Sequence, residues 1–309
     1  MADATTMDAL REAEHAANDA AREARAEVLE RAGQEGPIVG PERSKLRKRL
    51  SQRQSTSDEG WHKFVVDIWI TNFNATEFGI YKRARNRAKS RQFTAGMDVF
   101  AEVIEEGQRT GLLAYREDLW KKKEGIDRRL VFKLFSDTLN WRATMDLMAA
   151  RSLQQTIGAR GLPVMTYSVN TNDSDQVVYI ERSANKWPLL PENFSFFLLD
   201  GNRIETYRIR QNLIRWGDDY TVYNERDEAI GHLDGLVFTI GGKWRCKVKK
   251  QYADKRLLAV LKLFTGMLIF NDDCRGHVRR MSRLVRAGKL DAVIEKQEAD
   301  LYMNPRRVR

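Results

Sequence analysis

Residues 257–270 set the strongest condition on any fold this chain adopts. The stretch is 14 residues long, carries one charge at Lys262, and has no polar stripe at helical spacing. A helix that is apolar all round must be buried all round or lie in a membrane. Crossing a bilayer takes ~20 apolar residues, so this run is too short to span one. The other segments must show what surrounds it.

The pattern changes at Pro163. After it, residues 165–169, 177–182, 194–199 and 204–210 are short, rich in β-branched and aromatic side chains, and separated by turn residues such as Asp200-Gly201-Asn202. Residues 213–216, 220–223, 230–233, 236–240 and 243–249 extend this as an antiparallel meander. Asp234-Gly235 and Gly241-Gly242 read as its two-residue turns, because glycine accepts positive φ cheaply. Before Pro163, Met97, Phe100, Ala101 and Ile104 recur at helical spacing, and Leu130, Leu134, Leu139, Trp141 and Met145 continue a long pattern. This predicts a helical region over 58–162. Residues 1–57 read as an acidic helix followed by a basic linker. Through residue 42 there are ten acids against four arginines, then six cations with no acid over 43–53. Residues 288–309 form a basic tail. The predicted class is α+β: a helical N-terminal region, then an antiparallel β-meander or barrel over 163–287 that includes the apolar helix.

Residues 209–248, IRQNLIRWGDDYTVYNERDEAIGHLDGLVFTIGGKWRCKV, carry a more specific pattern. A basic strand leads into Gly217-Asp218-Asp219-Tyr220, followed by Asn224-Glu225-Arg226-Asp227, Leu233-Asp234-Gly235 and Phe238-Thr239-Ile240-Gly241. The pattern resembles the repeated strand unit of the tubby C-terminal-like superfamily, which includes LURP-one-related proteins and phospholipid scramblases. It extends loosely over 164–285, although 164–205 match the first repeat poorly. The resemblance implies a closed antiparallel barrel around a very apolar helix, and phospholipid association. It carries over no lipid-contact residue, since the matched positions are turns.

Two constellations point to an anionic partner. Strand alternation places Lys243, Arg245, Lys247 and Lys249 on one face and Trp244, Cys246 and Val248 on the other. Like charges at ~7 Å spacing are costly unless solvent, acids or an anionic surface screens them. Arg208 and Arg210 form a similar pair on an earlier strand. The second constellation is an aromatic segment containing Trp61 and Trp69, followed by Lys82, Arg83, Arg85 and Arg87 within a block of six cations in ten residues. Rings beside cations suit a membrane interface or a nucleic-acid groove. They equally suit helix residues facing a core beside a solvated basic turn.

Catalytic and metal chemistry have little support. The four histidines are scattered, and the two cysteines, Cys246 and Cys274, make no disulfide framework or zinc spacing. Cys274 and His277 stand three apart on a predicted helix, but a nucleophilic pair needs a third, orienting group, and the neighbouring arginines predict a surface position. No metal or cofactor is expected. The acidic, alanine-rich start lacks the basic head and apolar stretch of a signal peptide. The expectation is a non-catalytic binding or adaptor protein, cytoplasmic or peripheral at the inner face of a membrane. It would meet anionic phospholipid or an acidic protein partner, with no transmembrane segment. A nucleic-acid-associated protein and a structural subunit of a larger assembly are the alternatives.

Overall fold

Strands begin well before Pro163. The computed structural model describes residues 60–68, 92–94, 96–184, 191–212, 219–236 and 242–290. It contains twelve strands: β1 Trp61–Ile68, β2 Met97–Glu105, β3 Gln108–Arg116, β4 Val131–Ser136, β5 Trp141–Leu147, β6 Met165–Thr171, β7 Val178–Arg182, β8 Asn193–Asp200, β9 Arg203–Gln211, β10 Tyr220–Tyr223, β11 Ala229–Leu236 and β12 Lys243–Lys249. Each pairs antiparallel with its sequence neighbours, and β1 pairs with β12 to close the ring. Four helices accompany them: α1 Glu117–Lys121, α2 Ala149–Gly158, α3 Lys255–Leu268 and α4 Asn271–Arg286.

The apolar run forms α3, and the barrel is its wall. Asp254 caps the helix, accepting from the Arg256 amide at 3.0 Å. The Phe264 ring meets Phe194 of β8 at 4.9 Å and Tyr220 of β10 at 5.7 Å between centroids. Lys262 Nζ lies 2.6 Å from Glu105 of β2 and 5.6 Å from the Phe64 ring of β1. A Cβ on Gly266 would sit 2.8 Å from the Leu113 side chain of β3 and 3.3 Å from the Phe100 ring of β2, so glycine lets the helix approach that wall. Contacts on β1, β2, β3, β8 and β10 surround the helix. An eight-strand barrel is filled by its own side chains or holds one small ligand, and the wider ring of twelve leaves room for a helix. Among the described residues no helix is long and apolar enough to cross a membrane.

At the end where α3 leaves the barrel, α4 turns back and packs against α2 and β6. A buried ionic cluster fastens it there. Arg182 of β7 donates to Glu192 Oε1 through Nε at 3.2 Å and Nη2 at 2.8 Å. Glu192 Oε2 accepts from Tyr220 of β10 at 3.1 Å and from Asn271 of α4 at 2.8 Å.

The predicted helical region over 58–162 is corrected: among its described residues the segment forms β1 to β5, with α1, α2 and a short 3-10 turn as the helical pieces. Two physical features disguised the strands. First, β2 pairs with β3 through register shifts between Val99 and Ala101 and between Val103 and Ile104. Such bulges break the period of two. Second, β4 is buried on both sides. Phe132 and Leu134 face the barrel core, while Phe135 joins Phe93, Met97, Val99, Leu112, Ala114 and Leu139 in a smaller outer cluster. A strand buried on both faces shows no alternation and cannot be told from buried helix by periodicity. The class is thus a closed antiparallel barrel with helices at its C-terminal end, in place of the α+β arrangement with a helical N-terminal region. Asp234-Gly235 is also corrected: the pair lies inside β11, opposite Arg245 and Trp244 of β12. The acidic helix and linker of 1–57, the strand at 213–216 and the tail from 291 lie outside the described residues.

Candidate functional site

The alternation of β12 is as its sequence spacing requires. Trp244, Cys246 and Val248 are buried, while Lys243, Arg245, Lys247 and Lys249 take the outer face. Closure of the ring places β1 beside them, so residues from opposite ends of the barrel sequence meet. Trp61 stands opposite Lys249, Lys63 opposite Lys247, and Asp67 opposite Lys243. The predicted aromatic Trp61 and the predicted cation Lys247 come together, with Lys247 Nζ 5.2 Å from the indole centroid. On the other flank, His232 of β11 stands opposite Lys247, and its ring lies 5.9 Å from that of Trp61.

The register continues across the sheet. Lys63, Lys247, His232, Thr221 and Arg210 form one row from β1 through β12, β11 and β10 to β9. At ~4.8 Å per strand, Arg210 is about 14 Å from Lys247 along the row. Thr221 is buried at 5% exposure and donates to Asn212 Oδ1 at 3.1 Å, giving the row a neutral centre.

The charges on this face are not equivalent. Lys243 is neutralised by Asp67, with Nζ 2.6 Å from Oδ2. Arg208 pairs with Asp227 of the β10–β11 turn. Among the described residues, Arg210, Arg245, Lys247 and Lys249 have no carboxylate within ion-pair distance. The effective cationic face therefore consists of Arg245, Lys247 and Lys249 beside Trp61, with Arg210 at the far end of the row. Sequence reasoning missed Lys63 and His232, because cross-strand register joins them to the site and no local spacing signals it. Trp69, Lys82, Arg83, Arg85 and Arg87 lie outside the described residues.

The Cys274–His277 pair is buried, not on the surface as its arginine neighbours predicted. Burial pushes the Cys274 thiol well above its usual range. His277 is lowered to about 4 by burial and then by the Arg128 and Arg280 cations. Its ring packs edge-on against Trp120 at 6.0 Å, so neutral His277 works as an anchor between α4 and the β3–β4 connection. A group whose folded pKa is depressed from 6.5 to about 4 stabilises the fold fully above pH 6.5. That contribution is lost as pH falls toward 4, because the unfolded chain takes up the proton first. At 1.36 kcal/mol per unit the loss is about 3 kcal/mol. Urea unfolding at stepped pH should show this decline between pH 6.5 and 4, and His277→Gln should flatten it. An unchanged slope in the variant would assign the decline to other groups. Among the described residues no three His, Cys, Asp or Glu side chains converge to hold a metal ion.

Compared with protein-family models, curated proteins and solved structures, the chain matches none.

Proposed function

We propose that the protein is a non-catalytic binding protein that docks on an anionic membrane surface through the outer face of β12 and its neighbours. The observation that carries this reading is the meeting of Trp61 with Lys247, inside a face where, among the described residues, Arg245, Lys247 and Lys249 have no carboxylate within ion-pair distance, the nearest acids being Asp234 opposite Arg245 and Glu228, which feels the Lys249 charge. An indole suits headgroup depth, and each cation near an anionic leaflet contributes ~1 kcal/mol. The closed barrel around α3 is compatible with the tubby-like architecture that residues 209–248 resemble, and phospholipid association in that superfamily points the same way. Peripheral attachment at the inner face of a membrane and an adaptor role belong to this reading.

The test is sedimentation with vesicles of phosphatidylcholine, with and without phosphatidylserine. Wild-type protein should bind only the anionic vesicles. Replacing Arg245, Lys247 and Lys249 by glutamate should weaken partitioning by about fivefold or more per residue. Failure of the wild-type protein to bind anionic vesicles at low salt sinks the proposal. Tighter binding to nucleic acid, weakening log-linearly with salt, would replace it with the nucleic-acid alternative.

A further inference from the structure

A second cationic surface lies on α4, and the β12 face does not account for it. Cys274, His277, Val278 and Met281 form the buried side of this helix. Steps of four and three residues bring Arg279, Arg283 and Arg286 together on the opposite side, with Arg280 next to them. All four are exposed, and among the described residues none has a carboxylate within ion-pair distance. Asp272 is engaged by Arg275 at 3.1 Å. Two aliphatic side chains on this part of the surface are exposed, Leu284 of α4 and Ile157 of α2, each at 36%.

The position of the helix in the ring decides what these arginines can do. α4 packs against β6 and against α2, which joins β5 to β6. Strand order places β6 six strands from β12 in either direction, on the opposite wall. A twelve-strand ring at ~4.8 Å per strand is roughly 25 Å across. The Debye length at physiological salt is ~8 Å, so a membrane docked on β12 exerts almost no attraction on α4. The α4 arginines cannot serve that contact.

We infer that α4 is a second docking face for an anionic bilayer, so that one molecule bridges two such surfaces. The inference rests on the membrane reading of the β12 face. Aliphatic side chains beside arginines suit the headgroup–acyl boundary. Single-stranded nucleic acid would call for exposed rings instead, and neither of the exposed apolar side chains here is aromatic.

The experiment measures binding and clustering separately on phosphatidylcholine–phosphatidylserine vesicles. Wild-type protein should bind and cluster them. The variant Arg279→Glu/Arg283→Glu/Arg286→Glu should stay bound to within about twofold but cluster at least about tenfold more slowly. The corresponding Lys variant should cluster normally. Cys246 and Cys274 are buried, so Leu284→Cys can be labelled selectively with an environment-sensitive fluorophore, which should brighten on clustering. Clustering by the Glu variant at the wild-type rate, or a label that stays dim, overturns the inference and leaves the β12 reading standing. Loss of clustering that parallels loss of a protein dimer in light scattering overturns it too. Absence of any vesicle binding by the wild-type protein removes both.

Discussion

Replacing Glu192 by alanine should lower the unfolding free energy by about 3–5 kcal/mol, the range expected when a buried ion pair loses one partner. The Arg182 side chain is 2% exposed and would be left charged without its carboxylate. Its Nη1 also donates to the Pro163 carbonyl at 3.2 Å, so it cannot swing out to solvent without breaking that contact. Tyr220 and Asn271 would lose the acceptor they share. Arg275 would lose its 3.3 Å partner and, among the described residues, keep Asp272 alone as an ion-pair partner. One side chain thus holds β7, β10 and α4 together where the barrel meets its terminal helix. The cause can be separated from simple loss of volume. Arg182→Met/Glu192→Met should recover much of the loss, because well-packed apolar replacements of a buried pair are often neutral or better. Denaturant unfolding of wild type, single and double variants measures the three values. A single-variant loss below about 1 kcal/mol would mean that water reaches Arg182, and the clasp would have no energetic weight.

How much of this was legible in the sequence depended on whether the signal was local. The cationic face of β12 could be read directly, because Lys243 to Lys249 alternate with buried Trp244, Cys246 and Val248 over one strand. The all-round apolar character of residues 257–268 required an enclosing wall, and between Leu257 and Met267 only Ala259 and Lys262 are less than fully buried. The first half of the barrel was hidden for the opposite reason. The bulges of β2 shift its apolar residues out of period two, and the outer cluster around Phe135 buries the face of β4 that would otherwise have been polar. Asp234-Gly235 has turn composition, yet it sits mid-strand, where Asp219 Oδ1 accepts from the Gly235 amide at 3.2 Å. Tertiary pairing there overrides local preference. The site itself needed ring closure. Trp61 and Lys247 are nearly the full barrel apart in sequence, and only the β1–β12 register brings them within 5.2 Å.

The same enclosure makes α3 the most sensitive element to truncation. Phe264→Ala should cost about 3–5 kcal/mol, the upper range for large-to-small changes in a core. The ring is fully buried at 0% exposure and makes edge contacts with both Phe194 and Tyr220. Those partners belong to β8 and β10, which flank β9 in a closed sheet and cannot collapse inward independently, so the cavity should persist. The contact with Tyr220 carries a further consequence, since Tyr220 also donates to Glu192. Loss of the Phe264 ring should therefore loosen the clasp, and Phe264→Ala combined with Glu192→Ala should cost less than the sum of the two. Sites that share a partner couple by about 0.5–3 kcal/mol. Thermal unfolding should fall on the order of 10 °C for the Phe264 variant, at 2–4 °C per kcal/mol for a domain of this size. Additivity within experimental error would show that the helix and the clasp stabilise the barrel independently.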